Sequence, residues 1–160
     1  MVGVEQMLRY TLLAGDRALA TYAHEEAVDH FIRGLEAKGI DPDGRTPAAD
    51  AEAAGLLFGL SRARSALFIF RPGNVRDAVA NLRSAFEYHV AAGDNERAVE
   101  IAQSLPRIPV GERGGLGDVM EVALGITPTG SSARGQLLAN HGWIAGIEEI
   151  DYPTSTRSFQ

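Results

Sequence analysis

The chain has 160 residues, of which 45% are hydrophobic and 22% are charged, and it is long enough for one domain with a hydrophobic core. It contains no cysteine, which excludes disulfides and thiolate chemistry, and its net charge of -6 disfavours a general nucleic-acid surface. The N-terminus has no basic start followed by an apolar run, and no apolar stretch reaches the roughly 20 residues of a membrane span, so we expect a cytoplasmic protein.

The first two predicted helices form a hairpin. One helix is expected over Glu5–Tyr22 and a second from about residue 24 to Lys38, and Ala27, Phe31 and Leu35 recur every four residues along one face of the second. A loop with Asp-Pro, Asp-Gly and Thr-Pro pairs then separates this hairpin from the rest of the chain.

The next two helices are predicted over 50–70 and 75–92, with the segment RPGN between them. The residues expected to be buried in these helices are Leu56, Leu60, Ala63, Leu67, Ala78, Leu82, Ala85, Phe86 and His89. Their spacing places each set along one helical face, so this pair is predicted to be a second hairpin.

Three further helices follow. The first is predicted from Asn95, its N-cap, to Leu105. The second is predicted from Asp118, also a cap, to Leu124. The third begins at Ser131 or Ser132 and covers ARGQLLANHGWIAGIEE. The expected buried residues of the last helix are Leu137, Leu138, Trp143, Ile144 and Ile147. Its glycines, Gly135, Gly142 and Gly146, lower helix stability unless a neighbouring element packs closely against them.

The order of helix, turn, helix and longer connection resembles a tetratricopeptide array, whose repeats are about 34 residues long. In that register Gly15 is the glycine of the first helix, Ala27 the small residue of the second and Phe31 its aromatic residue, whereas Thr11 and Ala18 stand where the family has Trp and Tyr. This resemblance implies an all-α fold of seven or eight helices, stacked as antiparallel hairpins in a right-handed solenoid that forms a single domain over 1–160. The hairpins are expected near 5–38, 50–92, 78–105 and 118–160.

Three segments, GLSRA, LRSAFEYHVAAGD and GWIAGIEEIDY, carry a narrower resemblance. They look like the repeat region of bacterial LuxR-type transcriptional regulators with an ATPase module, and of relatives with an adenylate or guanylate cyclase domain. The chain has no GxxxxGK[ST] motif, and its segment GERGGLGD lacks the Lys and Ser/Thr that would hold phosphate and magnesium. Only the scaffold part of the resemblance is therefore carried over to this chain.

The end of the chain departs from that family, whose sequences continue with an acidic, alanine-rich helix where this chain has PTSTRSFQ. We expect a fragment that ends in the middle of a repeat. Apolar surface at Trp143 and Ile147 would then be poorly covered, which favours self-association through the C-terminal edge.

No residue pattern indicates catalysis, a cofactor or a metal ion. His24 and His30 are six residues apart and do not share a helical face, and His89 and His141 are isolated in the sequence. The carboxylate pairs lie on adjacent residues, which point in different directions on a helix and do not converge as an acid–base pair must.

The main local group of positive residues consists of Arg62, Arg64, Arg71, Arg76 and Arg83. Arg62 and Arg64 point about 200° apart on a helix and cannot line one groove. Solvation, or ion pairs with Asp77 and Glu87 inside the hairpin, is the preferred interpretation, ahead of binding to nucleic acid.

We therefore expect a non-catalytic scaffold, part of a signalling or transcription regulator, whose concave side binds an extended peptide or a helix of a partner protein. The expected contact residues are Tyr10, Arg17, Arg62 and Arg64. The alternative is an inactive remnant of an ATP-dependent LuxR-type regulator or nucleotide cyclase without its catalytic and output domains. No cofactor, metal ion or membrane partner is expected.

Overall fold

The computed structural model describes residues 2–67, 74–105 and 115–148, and every regular element in these ranges is an α-helix. The helices are α1 (Val2–Ala20), α2 (His24–Ala37), α3 (Ala51–Ala66), α4 (Asn74–Ala91), α5 (Asn95–Gln103), α6 (Gly117–Ile126) and α7 (Ser132–Glu148). The all-α prediction is confirmed for this part of the chain. The predicted end of the third helix after residue 67, the RPG of the following turn and the segment PTSTRSFQ lie outside the described residues.

The helices pack in chain order. Each of α1 to α4 contacts the next helix, and α5 and α6 both contact α7. Among the more extensive contacts, those of α1 with α3 and of α5 with α7 skip a helix. The third helix, α3, lies between its neighbours, and nine of its residues are buried, so it forms the centre of the N-terminal half.

The ring of Phe31 joins three helices. It is fully buried on α2, and the Cβ that an alanine would add at Gly15 of α1 would lie 2.5 Å from its Cε1. An added Cβ at Gly59 of α3 would overlap the same ring atom. The two glycines therefore create the space that the ring occupies, and the contact between Gly15 and Phe31 agrees with the register chosen for the first hairpin.

The predicted buried faces of the second, third and fourth helices are confirmed, with Leu67 as the one partly exposed member. The prediction for α7 is wrong in part, because Leu137 and Ile144 are buried while Leu138 is 52% and Trp143 is 47% exposed. Among the described elements, α7 packs mainly on α5 and α6. Leu138 and Trp143 are one position away from the buried Leu137 and Ile144, so their side chains point away from that interface. The side chain of Ile147 lies outside the described residues.

The helix caps differ from the predicted ones at two places. Asp94, not Asn95, caps α5, because its carboxylate accepts a hydrogen bond from a backbone N–H three residues later. Asp118 lies inside α6, where its carboxylate pairs with Arg83 of α4. The predicted cap of α7 is confirmed at Ser131, whose hydroxyl accepts a backbone hydrogen bond from the first turn.

The connection between α2 and α3 is bonded to α4. The guanidinium of Arg64 donates to the carbonyl oxygen of Pro42 at 2.6 Å, and the buried amide of Asn81 donates to the same oxygen at 3.1 Å. The backbone N–H of Ala48 donates to the hydroxyl of Ser84 at 3.0 Å. These bonds satisfy polar groups that the packing of the loop removes from water.

The first testable consequence concerns the glycine beneath the Phe31 ring. Gly59→Ala is expected to lower the free energy of unfolding by about 1–3 kcal/mol, because overpacking forces the ring or the helices to shift. Gly142→Ala is the matched control, since outside its own helical turn no described atom lies within 4 Å of the added Cβ. The control is expected to raise stability by about 0.5–1 kcal/mol in urea unfolding, and equal effects of both variants would contradict this account.

A second consequence concerns the pair that joins α4 to α6. Arg83 donates to both carboxylate oxygens of Asp118, at 2.5 and 2.8 Å, and these bonds hold the pKa of Asp118 below its ordinary value of 3.8. Because the folded-state pKa is lowered, the carboxylate contributes stability above pH 3.8, and this contribution is lost as the pH falls through the folded-state value.

Asp118→Asn is therefore expected to lower the free energy of unfolding near neutral pH by at most about 1 kcal/mol, since the pair is partly exposed. The difference from the parent chain should disappear in acid below the folded-state pKa. Urea unfolding as a function of pH measures it, with Glu121→Gln of the same helix as the control. A loss of the same size throughout the acid range would assign the effect to packing instead of charge.

Candidate functional site

A groove of about 370 Å³ lies between α1, α3 and α5. Its apolar surface comes from Leu12, Leu19 and Ala20 of α1 and from Gly55 of α3. Its charged residues are Asp16, Arg62, Arg97 and Glu100. These residues lie on α1, α3 and α5, and the groove combines an apolar base with both signs of charge.

Two arginines meet over one aromatic ring in this groove. The Cζ atoms of Arg62 and Arg97 lie 5.8 and 5.5 Å from the ring centroid of Phe58, which is only 5% exposed. These distances are within the range of cation–π attraction. The ring therefore lies close to two guanidinium groups, from α3 and from α5, that both line the groove.

Two carboxylates stand beside these arginines on the outer helices. Nη1 of Arg62 lies 3.7 Å from Oδ1 of Asp16 on α1, which is beyond hydrogen-bond distance. Nη1 of Arg97 donates to Oε2 of Glu100, one turn later on α5. All four charged side chains are about half exposed, with values between 41% and 56%. Solvent therefore weakens both ion pairs, and a partner can displace either one at small cost.

A second groove, of about 660 Å³, lies between α5 and the turn that joins α6 to α7. Its polar residues on α5 are Asn95, Glu96, Glu100 and Gln103, and Ile126 and Pro128 are among its apolar ones. Glu100 lines both grooves. The two grooves therefore meet at α5 and form a longer surface, whose second part carries negative charge.

The structure brings one of the four predicted contact residues into the groove, and this residue is Arg62. Tyr10 is 66% exposed, and its ring meets that of His30 on α2 edge to face, with centroids 6.5 Å apart. Arg17 is exposed one position after Asp16, and helical geometry turns it 100° away from that groove residue. Tyr10 and Arg17 therefore lie on the surface of α1 outside the groove.

Arg64 has an internal role. Only 11% of its side chain is exposed, and Nη1 donates to the carbonyl oxygen of Pro42 and, at 2.7 Å, to Oδ1 of Asn81. Burial lowers the pKa of Arg64, and nearby carboxylates, Asp77 first among them, oppose this effect. The expectation that Arg62 and Arg64 point in different directions is confirmed. The ion pairs predicted inside the second hairpin are also confirmed. Oδ2 of Asp77 lies 3.9 Å from Nη1 of Arg64, and Oε1 of Glu87 lies 3.9 Å from Nη1 of Arg83.

Sequence reasoning missed Phe58, Asp16, Arg97 and Glu100. Two spacings in the sequence were informative, because Phe58 and Arg62 are four residues apart and Arg97 and Glu100 are three apart. Side chains at these spacings lie on the same face of a helix. The approach of α5 to the Phe58 ring, in contrast, depends on tertiary packing and has no local pattern.

The histidines lie apart from the groove. Nδ1 of His89 is 3.1 Å from Oδ2 of Asp94, so this pair closes the turn between α4 and α5. Within residues 2–67, 74–105 and 115–148, no group of three or more histidine or acidic side chains is arranged to hold a metal ion. None of the helices described in these ranges has the length and apolar character needed to cross a membrane.

Comparison of the chain with protein-family models, curated proteins and solved structures returned no match. The case for a function therefore depends on the groove itself. The groove has an apolar base, two guanidinium groups close to one aromatic ring and two flanking carboxylates.

The different positions of Arg62 and Arg64 make a third prediction. Arg64→Met is expected to lower the free energy of unfolding by about 1.5–3 kcal/mol, because it removes bonds from a charged donor and leaves Oδ1 of the buried Asn81 unpaired. Arg62→Met is expected to cost less than about 1 kcal/mol, since its contacts are half exposed. Chemical unfolding of both variants checks this, and a greater loss for Arg62→Met would reverse the assignment.

Proposed function

We propose that this chain is a non-catalytic helical-repeat scaffold that binds a segment of a partner protein in the groove between α1, α3 and α5. The observation that carries the proposal is the composition of this groove, where an apolar base lies beside two arginines close to the Phe58 ring. Apolar clefts with a few convergent polar groups are the usual form of binding sites.

The order of helix contacts supports the repeat part of the proposal. In a tetratricopeptide-like array the second helix of each hairpin packs against the first helix of the next hairpin, and first helices contact one another. The contacts of α2 with α3 and of α1 with α3 follow these two rules where the first two hairpins meet. A right-handed solenoid of this kind has a concave side built from first helices, and the groove residues of α1 and α3 lie on such helices in the predicted register.

The dimensions of the surface support a peptide as the occupant. The groove between α1, α3 and α5 and the neighbouring one beside α5 share Glu100, so the binding surface extends across several helices. An extended peptide can contact such a surface through side chains placed in successive pockets. The partial exposure of the charged side chains makes the surface available without unfolding any helix.

The fourth prediction tests this groove directly. Random linear peptides displayed on phage are selected against the whole chain, and the affinity of the recovered peptides is measured by fluorescence polarisation. Ala20→Trp is expected to weaken binding about tenfold or more, because it places an indole in the groove. Ala20 is the exposed last residue of α1, so the substitution leaves the core intact.

The matched control is Ala37→Trp, at the exposed last residue of α2 and outside the groove residues. It is expected to leave the affinity within about twofold of the parent value. Recovery of no peptide, or of peptides that bind equally well to the Ala20→Trp variant, would refute a peptide-binding groove.

We further propose that the scaffold works within a bacterial signalling or transcription regulator, on the basis of the segments GLSRA and LRSAFEYHVAAGD. The genomic sequence on both sides of the reading frame tests this setting. An ATPase motif upstream or a DNA-binding module downstream would support it, and intergenic sequence on both sides would argue against it.

A further inference from the structure

We infer that the groove recognises an acidic side chain of the partner, held between Arg62 and Arg97, next to an apolar side chain on the base. The inference rests on the proposed function and specifies the chemistry of the bound segment. It assigns to Phe58 the role of keeping both arginines close to that carboxylate.

The two guanidinium groups lie near one ring and line one groove. They come from different helices, yet both lie over the Phe58 ring, at 5.8 and 5.5 Å from its centroid. Cation–π attraction keeps each guanidinium near the ring, and each guanidinium has five N–H donors with which to bind an acceptor. Two such groups beside one cleft are suited to share a carboxylate through charge-assisted hydrogen bonds.

The two carboxylates of the groove are not brought together in the same way. Asp16 is on α1 and Glu100 is on α5, the outer helices, with Phe58 and Arg62 of α3 between them. Each acidic residue is closest to its own arginine, at 3.7 Å for the pair of Asp16 with Arg62. A basic side chain of a partner would therefore meet one carboxylate and one guanidinium, whereas an acidic side chain meets both guanidinium groups.

The present partners of the arginines are weak enough to be replaced. The Arg62 pair is beyond hydrogen-bond distance, so Asp16 does not saturate the donors of Arg62. The Arg97 pair connects residues one turn apart on an exposed face, where solvent screens the attraction. In the free protein these acids balance the charge of the arginines, and in the complex they compete with the partner carboxylate.

The apolar base supplies the second half of the recognition. Leu12, Leu19 and Gly55 form a patch beside the arginines, and the absence of a side chain at Gly55 lets Leu12 of α1 pack closely on α3. An aliphatic or aromatic side chain next to the acidic residue can cover this patch. Its burial adds affinity, and the carboxylate adds selectivity.

The test uses the peptides selected above, sorted by their dependence on Ala20, and measures their affinities for charge variants of the whole chain. Arg62→Gln and Arg97→Gln are each expected to weaken binding about tenfold, because each removes a charge-assisted hydrogen bond. Asp16→Asn and Glu100→Gln are expected to tighten binding by about twofold to fivefold, since they remove a competing charge. Arg33→Gln, at an exposed arginine of α2, is the control and should have no effect.

A complementary measurement leaves the protein unchanged. Replacing the Asp or Glu of a selected peptide by Asn or Gln should weaken binding about tenfold to the parent chain and by less than about twofold to the Arg62→Gln, Arg97→Gln double variant. Equal losses in the two proteins would overturn the inference, because the carboxylate would then be bound elsewhere.

The two proposals fail in different ways. Peptides that Ala20→Trp blocks but that are rich in Lys and Arg, and that bind more weakly to Glu100→Gln, would overturn the acidic-partner inference and leave the groove as a binding site. Peptides that Ala20→Trp does not block would overturn both. Acidic peptides with an adjacent apolar residue, weakened by both arginine variants, are the expected result.

Discussion

The fold depends most directly on the contact of the Phe31 ring with two glycines. The ring is fully buried on α2 and fills space that Gly15 of α1 and Gly59 of α3 leave open, so three helices meet at one side chain. Burial of a side chain of this size contributes about 2–3 kcal/mol. The same contact positions the groove, because Phe58, the residue before Gly59 and about 100° from it around the helix, lies next to the two arginines. Core packing and the candidate binding surface are therefore coupled through adjacent residues of α3.

Most of the helices were predictable because apolar residues recur along the sequence with the period of a helix. The four-residue spacing of Ala27, Phe31 and Leu35 identified a buried face, and the described structure has all three at zero exposure. Periodicity was less informative for α7, where Leu138 and Trp143 are apolar but point away from the helices that α7 contacts. An apolar residue is buried only when another element covers it, and the sequence of a single helix does not specify which faces are covered.

The candidate site was predictable only in part, and for the same reason. Residue type suggested arginines as contacts, but of the arginines proposed only Arg62 lies in the groove, while Arg64 is used inside the protein to hold a loop. Phenylalanine is a typical core residue, and Phe58 is almost fully buried. Its ring nevertheless contacts charged groups at the surface. Arg97 contributes to the groove only because α5 packs close to α3. That distance depends on helix packing and not on a local sequence motif.

The loop that connects the first two hairpins has a consequence for how the array unfolds. In a simple repeat array each hairpin contacts its neighbours through helix faces alone, and end hairpins can open independently. Here Pro42 and Ala48, before α3, bond to Asn81 and Ser84 of α4, so the connection is complete only when both hairpins are folded. Hydrogen exchange at the amide of Ala48 would report the opening of this joined unit. We therefore expect the N-terminal half to unfold as one cooperative unit and not as separable repeats. This unit forms one rigid side of the groove.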